Sequence, residues 1–211
     1  MMKFAPEGYP FIAVCAVVTA LCFWLGGAVL TALPALVTVF MFSFFRDPER
    51  VVPEGRNLFV SPADGKVIVI MDVHEAEYLD RDMKQISIFM SPFNVHVNRV
   101  PCDCKVKTIK HTKGRFLAAY KDEASLQNEH IDMVLETRYG DILVRQVAGF
   151  VARRAVCRKN EGDILHQGER YGIIKFSSRV DIYLPKDTLI RAKLNEMVTA
   201  GETILGEAAK G

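Results

Sequence analysis

The chain has 211 residues, of which half are apolar and a quarter are charged. Its 27 Lys and Arg residues nearly balance 25 Asp and Glu residues, giving a formal net charge of +2. This balance argues against a globally basic nucleic-acid-binding protein and against an acidic disordered tail. The length fits one domain, or one domain with an appendage, and the composition excludes a disordered or collagen-like chain.

Residues 11–45 contain no Asp, Glu, Lys, Arg or His. A transmembrane helix needs roughly 20 such residues, so the stretch is long for one span and short for two. Because Leu25-Gly26-Gly27 places a turn signal near its middle, we predict a helical hairpin with arms at 11–25 and 28–45. One long tilted span is the first alternative; a cleaved signal peptide and a buried soluble hairpin are less favoured.

Arg46, Arg50 and Arg56 follow this stretch, and positive charge beside a span favours the cytoplasmic side. We therefore expect residues 1–50 to associate with the cell membrane and residues 51–211 to form a domain on its cytoplasmic side. The five cysteines are odd in number and scattered, which does not indicate a disulfide framework. Cys102-x-Cys104 has no second Cys or His pair at a zinc-like spacing, so no metal site is predicted.

Beyond residue 53 the pattern changes to short, alternating, β-rich runs separated by Gly turns. They favour a mostly β domain, a barrel or a sandwich, and the dense Gly turns near the C-terminus resemble the compact β-sandwich of lipoyl and biotinyl carriers. Segments 73–82 and 121–128 are expected to hold a helical turn or two. The predicted strands are 58–60, 66–73, 85–90, 104–109, 131–137, 142–148, 171–176 and 179–184.

Three short segments carry residue types suited to chemistry. Asp64 lies in the turn sequence Ser61-Pro62-Ala63-Asp64-Gly65, where an Asx turn is the simpler interpretation. His96 lies among β-branched residues, where a structural histidine is common. Ser177 and Ser178 lie between two apolar β runs. A strand with two serines at a bend would give the same sequence pattern.

Taken together, the order and spacing of these segments resemble the phosphatidylserine decarboxylase proenzymes, and specifically their short bacterial and archaeal type. The resemblance covers nearly the whole chain. It is carried by the N-terminal apolar segment and by Phe44-Phe45-Arg46-Asp47-Pro48, Ser61-Pro62-Ala63-Asp64-Gly65-Lys66-Val67, Ser91-Pro92-Phe93-Asn94-Val95-His96, Gly168-Glu169-Arg170-Tyr171-Gly172, and Ser178-Arg179-Val180-Asp181 with Leu184-Pro185.

The resemblance implies that the chain cleaves itself between Ser177 and Ser178 and converts Ser178 into a covalent pyruvoyl group. The products would be a long chain, 1–177, and a short chain, 178–211, held together as a heterodimer, with a higher oligomer left open. The pyruvoyl group would serve the conversion of phosphatidylserine in the membrane to phosphatidylethanolamine. No nucleic-acid partner is implied.

Two positions depart from the family pattern. Ser177 stands where the family usually has Gly, which tolerates backbone conformations that other residues resist. The long type of the family has a second histidine where this chain has Arg99, and Arg cannot act as a base near neutral pH. We therefore assign His96 as a proton shuttle and Asp64 as its orienting or activating partner, both as hypotheses.

The densest run of basic residues, at 105–115, is a candidate contact with anionic lipid. The alternative interpretation is a sheet edge protected by lysines. A second basic cluster, at 153–159, is equally ambiguous. Two other functions stay open: a membrane-anchored, lipoyl-like binding module without catalysis, and a decarboxylase of a related serine ether lipid. The basic run comprises Lys105, Lys107, Lys110, Lys113 and Arg115, with His111 among them.

Overall fold

The structure, a computed structural model, describes residues 3–55, 57–114, 127–149, 154–176 and 178–209. The chain divides into two compact units, residues 1–49 and residues 50–211.

The first unit is built around one long apolar helical element, α1 (Tyr9–Phe44), preceded by a 3₁₀ turn (Pro6–Gly8). Strands β1 (Lys3–Phe4) and β2 (Arg46–Asp47) pair antiparallel and bring its two ends together. Most large apolar side chains of α1 are exposed, as expected of a surface made for lipid rather than water. By length and composition α1 can cross a membrane, a finding that supports membrane association.

The predicted helical hairpin is confirmed, because α1 is interrupted at Gly27. The backbone of Gly27 has φ 65° and ψ −158°, which is not helical. The hydroxyl oxygens of Thr19 and Thr38 lie 2.9 Å apart, whereas 19 residues of straight helix would separate them by about 28 Å. Near the open end the rings of Phe11 and Phe45 stack at 5.5 Å. The alternative of one long tilted span is therefore wrong.

The second unit is mostly β, as predicted. Its described strands are β3 (Leu58–Val60), β4 (Gly65–Glu75), β5 (Arg81–Met90), β6 (Val97–Arg99), β7 (Cys104–Thr112), β8 (His130–Thr137), β9 (Gly140–Ala148), β10 (Arg154–Cys157), β11 (Ile164–Leu165), β12 (Arg170–Lys175), β13 (Ser178–Pro185), β14 (Leu189–Ile190), β15 (Met197–Val198) and β16 (Ile204–Glu207).

Among the described residues, the largest sheet is antiparallel and has the strand order β11-β7-β8-β9-β13-β5-β4-β15. Two three-stranded sheets accompany it, β10-β12-β6 and β14-β16-β3. Strand β13 lies in the middle of the large sheet, hydrogen-bonded to β5 on one side and to β9 on the other.

Both faces of the central strands are buried, and they differ in chemistry. One face packs into the main apolar core, to which β5, β9 and β13 contribute alternate residues such as Ile88, Val144 and Val180, each fully buried. Burying such a side chain contributes about 1.5–3 kcal/mol. The opposite face carries buried charge, including Arg145 and Arg179.

The helical turns predicted at 73–82 are wrong. This segment is the end of β4, a tight turn and the start of β5. The carboxylate of Glu75 accepts hydrogen bonds from the backbone N–H groups of Glu77, Tyr78 and Leu79. It thereby satisfies the turn donors without helical bonds. The other predicted helical segment, 121–128, lies outside the described residues except for its last two positions.

Candidate active site at the start of β13

Ser178 is the first residue of β13 and is completely buried. Its neighbours across the sheet are Met90, the last residue of β5, and Ala148, the last residue of β9. Its hydroxyl oxygen lies 3.4 Å from Sδ of Met90. Because side chains alternate along a strand, Ser178 faces the same side as Val180, towards the apolar core. Ser177 lies outside the described residues.

Phe176, two residues before Ser178, has a positive φ of 62°. A bulky residue in this region of backbone space is strained, at a cost of about 1–3 kcal/mol. The strain lies between β12, which ends at Lys175, and β13. The sequence expectation concerned Ser177, and it stays a prediction.

His96 is fully buried in the segment that joins β5 to β6. Its Nδ1 lies 3.0 Å from the carbonyl oxygen of Asn94. Since a carbonyl can only accept, Nδ1 carries the proton, and in the neutral ring Nε2 is the basic nitrogen. The backbone carbonyl of His96 accepts a hydrogen bond from the N–H of Ile174 at 3.3 Å. This bond fixes the residue beside the strand that leads into Ser178.

A buried amide pair connects β6 and β9 next to this region. The Nε2 of Gln146 donates to Oδ1 of Asn98 at 2.8 Å, and Nδ2 of Asn98 lies 3.7 Å from Sδ of Met90. Met90 therefore contacts both the amide of Asn98 and the hydroxyl of Ser178. Sequence reasoning missed these residues, although one signal was present: Gln146 is a polar side chain at a core position of an apolar strand, between Val144 and Ala148.

Arg99 occupies the position where the long type of the family has a second histidine. Its side chain makes a structural contact. Its guanidinium donates to the carbonyl oxygen of Gly168 at 2.8 Å, and the side chain is almost fully buried. The backbone N–H of Arg99 donates to the carbonyl oxygen of Pro62 at 2.9 Å. This bond places Pro62, two residues before Asp64, beside Arg99, which follows His96 by three residues.

Asp64 is held by two partners in that turn. Its Oδ2 accepts from the guanidinium of Arg50 at 2.8 Å, and its Oδ1 accepts from the backbone N–H of Ala200 at 2.8 Å. Glu202 lies 3.7 Å from the same guanidinium. Both side chains of the Arg50–Asp64 pair are about seven-eighths buried, 13% and 14% exposed. Arg50, which we interpreted as a charge marking the cytoplasmic side, is thus also an internal ion-pair partner.

The face of β13 opposite to Ser178 carries ion pairs and is separate from the site around Ser178. Arg179 pairs with Asp181, and Arg145 pairs with Asp132, both at 2.5 Å. Burial by itself would raise the pKa of Asp132, but the hydrogen bond from His130 and the charge of Arg145 outweigh it and lower that pKa. A cavity of about 810 Å³ borders this face and is lined by both arginines.

Within the described residues, no three His, Cys, Asp or Glu side chains are placed to hold a metal ion. Burial raises the pKa of Cys102 far above its ordinary value, and burial together with nearby acidic charge raises the pKa of Cys104 to about 12. Thiols with such pKa values are poor nucleophiles and poor metal ligands at neutral pH.

The basic run on β7 lies away from Ser178, because β8 and β9 separate β7 from β13 in the sheet. At the usual strand spacing this is about 14 Å. Lys107 pairs with Asp141 at 2.8 Å and Lys110 with Glu77 at 3.2 Å. Lys105 and Lys113 are exposed, and Arg115 lies outside the described residues. β11 lies outside β7 in the sheet and pairs with it at Lys105, so both interpretations of the run, a lysine-protected sheet edge and a lipid contact, stay predictions.

Known proteins resemble this chain over nearly its whole length. The family model described as phosphatidylserine decarboxylase matches residues 37–206. A phosphatidylserine decarboxylase proenzyme of Geotalea uraniireducens is 46% identical over 203 residues, covering 96% of this chain and 95% of the relative. The proenzyme of Syntrophus aciditrophicus is 47% identical, covering 96% of each chain. The proenzyme of Burkholderia mallei is 44% identical, covering 96% of this chain and 94% of the relative.

These matches span both the apolar segment and the β domain, and they favour an enzyme over a binding module without catalysis. They also include every segment that carries Asp64, His96 and Ser178. The chain therefore belongs to the phosphatidylserine decarboxylase family.

Proposed function

We propose that this chain is a self-cleaving precursor that forms a pyruvoyl group at Ser178 and uses it to convert phosphatidylserine to phosphatidylethanolamine. The observation that carries the proposal is the position of Ser178: a fully buried hydroxyl at the start of a central strand, just after a strained residue. The relatives' printed description as proenzymes supports a maturation step.

The cleavage chemistry takes place on Ser178 and the residue before it. The Ser178 hydroxyl adds to the carbonyl carbon of Ser177, the peptide C–N bond breaks, and an ester joins the two residues. β-Elimination then breaks the Cβ–O bond of residue 178 and leaves a carboxylate on residue 177. Water replaces the nitrogen of the resulting dehydroalanine, which leaves as ammonia. A serine hydroxyl is a weak nucleophile, so a base or strain must activate it.

His96 is the proposed base. With the proton held on Nδ1 by the carbonyl of Asn94, Nε2 is the nitrogen that can take a proton from Ser178 and return it to the leaving amine. Asp64 is the proposed orienting partner, acting from the turn that is hydrogen-bonded to β6. Strain at Phe176 favours breaking the chain in the following residues, because cleavage lets the backbone relax.

The two product chains are expected to stay together. Residues 178–185 are paired along β5, and residues 178–183 are also paired along β9. The short chain, 178–211, therefore keeps its place in the sheet after the bond before it is cut. It also supplies β14, β15 and β16, which pair with strands of both chains.

The buried surroundings of Ser178 suit a carbonyl prosthetic group. When formed, the pyruvoyl group supplies an electron sink for loss of the substrate's carboxylate as carbon dioxide. Met90 and Ala148, on the strands to either side, and the neighbouring core residues enclose this position. His96 remains beside β12 as a proton carrier for the product. The apolar hairpin keeps the domain close to its lipid substrate, and we place that domain on the cytoplasmic side.

The test is the intact mass of the purified protein before and after borohydride reduction. We expect two chains, 1–177 and 178–211, with a reducible, blocked start on the shorter one. Incubation with phosphatidylserine should then yield phosphatidylethanolamine. Ser178→Ala is the matched control and should stay as one chain. A wild-type chain that stays uncut would overturn the proposal for this sequence, and Ser177→Gly would show whether residue 177 is the cause.

A further inference from the structure

Gln146 carries a buried hydrogen-bond acceptor for which the described part of the chain supplies no donor. The residue is 1% exposed and lies on the central strand β9. Its Nε2 donates to Oδ1 of Asn98 at 2.8 Å, but its own Oε1 is buried and has no hydrogen-bond partner among the described residues. Leaving a buried polar atom unpaired costs free energy, so an acceptor kept in this condition needs a physical reason.

The contacts around the amide of Gln146 fix which of its two ends is unpaired. Nδ2 of Asn98 lies 3.4 Å from the carbonyl oxygen of Pro62, which can only accept a hydrogen bond. Oδ1 of Asn98 therefore faces Gln146 and accepts from its nitrogen, which leaves the oxygen of Gln146 as the unpaired end. Gly172 keeps room for this arrangement, because a Cβ atom on that residue would lie 3.0 Å from Nε2 of Gln146.

Gln146 is a diagonal neighbour of Ser178 on the same face of the sheet. Ala148 lies opposite Ser178, and Gln146, two residues before Ala148, lies opposite Val180. Residues two apart on a strand point to the same side. Diagonal neighbours in an antiparallel pair have Cβ atoms about 7 Å apart, which is within reach of a long side chain. The hydroxyl of Ser178 is therefore a donor that the glutamine oxygen can reach across this diagonal.

Ser178 has a donor that lacks a strong acceptor. Its hydroxyl oxygen lies 3.4 Å from Sδ of Met90, and a thioether sulfur is a weak acceptor. A buried donor with a weak acceptor and a buried acceptor without a described donor thus lie on the same face of the sheet. Rotation about the Cα–Cβ bond of Ser178 moves the hydroxyl between staggered positions, so it can change its acceptor without movement of the backbone.

We propose that Oε1 of Gln146 accepts a hydrogen bond from the Ser178 hydroxyl when that hydroxyl attacks, and that it thereby positions the nucleophile for self-cleavage. This inference rests on the proposed function, in which Ser178 attacks the carbonyl carbon of the preceding residue. The contact with Met90 then belongs to the resting precursor. An amide oxygen is too weakly basic to keep the proton, so Gln146 is a positioning residue, and the proton passes to the proposed base, His96, as the new C–O bond forms.

The test follows self-cleavage of the full chain from the time of its synthesis in a cell-free system with lipid vesicles. Gln146→Met keeps the length of the side chain but replaces the amide with a thioether. Gln85→Met is the matched control. Gln85 is another buried glutamine of the same sheet, 7% exposed, but it alternates with the core residue Ile86 on β5 and so faces the side opposite to Ser178. The half-time for conversion to the chains 1–177 and 178–211 is measured on a denaturing gel.

Gln146→Met should slow cleavage at least tenfold relative to Gln85→Met. Because a buried substitution can also act by weakening the fold, a second pair of variants tests the contact itself. In a His96→Gln background, Gln146→Glu places a carboxylate where the hydroxyl is received, so it should speed cleavage at least tenfold. The gain should increase from pH 6 to pH 9, as a buried carboxyl loses its proton. Gln85→Glu in the same background should give no gain.

Cleavage of Gln146→Met within threefold of Gln85→Met would overturn the proposal, and so would the absence of rescue by Gln146→Glu at every pH. Either result would leave the proposed function standing, because the wild-type chain would still cut itself before Ser178. A wild-type chain that stays uncut would reject both. Slow cleavage of Gln146→Met together with pH-dependent rescue by Gln146→Glu would establish the positioning role.

Discussion

The hydroxyl oxygen of Ser178 lies 3.4 Å from Sδ of Met90, directly across the sheet from it. A thioether sulfur is a weak acceptor that cannot carry away the hydroxyl proton. The contact therefore positions the proposed nucleophile without activating it. Activation has to come from another group.

Replacing Met90 with Leu should change self-cleavage by no more than about threefold. The substitution conserves side-chain volume, so it should cost less than about 1.5 kcal/mol of folding free energy. Only the weak bonds that the sulfur accepts from the Ser178 hydroxyl and the Asn98 amide are lost. The rate is read as the conversion of the full-length chain to two chains on a denaturing gel, with Ser178→Ala as the uncut control. A loss above tenfold would mean that the sulfur orients the hydroxyl for attack.

Replacing His96 with Ala should slow self-cleavage, decarboxylation or both by about 10²–10⁴-fold, the usual contribution of a positioned acid or base. His96→Gln keeps a donor for the carbonyl of Asn94 but has no basic nitrogen, so it should be equally impaired. Cleavage and product formation are measured separately on each variant. Full activity in both steps would remove His96 from the mechanism, and recovery with Gln alone would make its role structural.

Asp64 can be tested against its own ion-pair partner. Asp64→Asn keeps an acceptor for the N–H of Ala200 but loses the charge that faces Arg50, and Arg50→Gln loses the same ion pair from the other side. If Asp64 acts on His96, Asp64→Asn should slow self-cleavage at least tenfold while Arg50→Gln changes it far less. Equal losses in both variants would limit Asp64 to holding its turn.

The strands were predictable because their signal is local. The alternation at 85–90 and at 104–109 lies within β5 and β7, and the Gly-Gly pair near residue 26 marks the break in α1. The segment 73–82 was predicted wrongly, because a single carboxylate, that of Glu75, supplies the turn bonds that a helix would otherwise supply.

The surroundings of the site were not predictable, because they depend on contacts between distant residues. Gln146 and Asn98 are 48 residues apart, and Asp64 bonds to Ala200 across 136 residues. The local sequence around each of these four residues does not indicate its partner. The resemblance to a family identified Ser178, His96 and Asp64 as candidates, but it did not supply Met90, Asn98 or Arg50 as their neighbours.

The basic run on β7 gives a prediction about lipid binding. Lys107 and Lys110 already have carboxylate partners, so any contribution to lipid binding should come mainly from Lys105 and Lys113. Lys105→Gln with Lys113→Gln should weaken binding of the full chain to anionic vesicles, more at low salt than at high salt. Flotation of vesicles containing phosphatidylglycerol measures this. Unchanged binding at low salt would leave the lysines as protection of a sheet edge.

Because of His130, the folding stability should depend on pH above about 6.5. Burial would lower its pKa, but the hydrogen bond to Asp132, at 3.3 Å, and the carbonyl of Asn128, at 2.7 Å, outweigh burial and the nearby charge of Arg145 and raise that pKa. A folded-state pKa above the unfolded one contributes stability that is complete below about 6.5 and is lost as the pH rises through the folded value.

The measurement is thermal unfolding in detergent from pH 5 to pH 9. This range avoids Asp132, whose lowered pKa matters only below about pH 4. The wild-type midpoint should fall as the pH rises past 6.5, and His130→Gln should remove most of that slope while lowering the midpoint at pH 5. The same slope in His130→Gln would assign the pH dependence to another group, and a wild-type midpoint that rises with pH would contradict a raised pKa for His130.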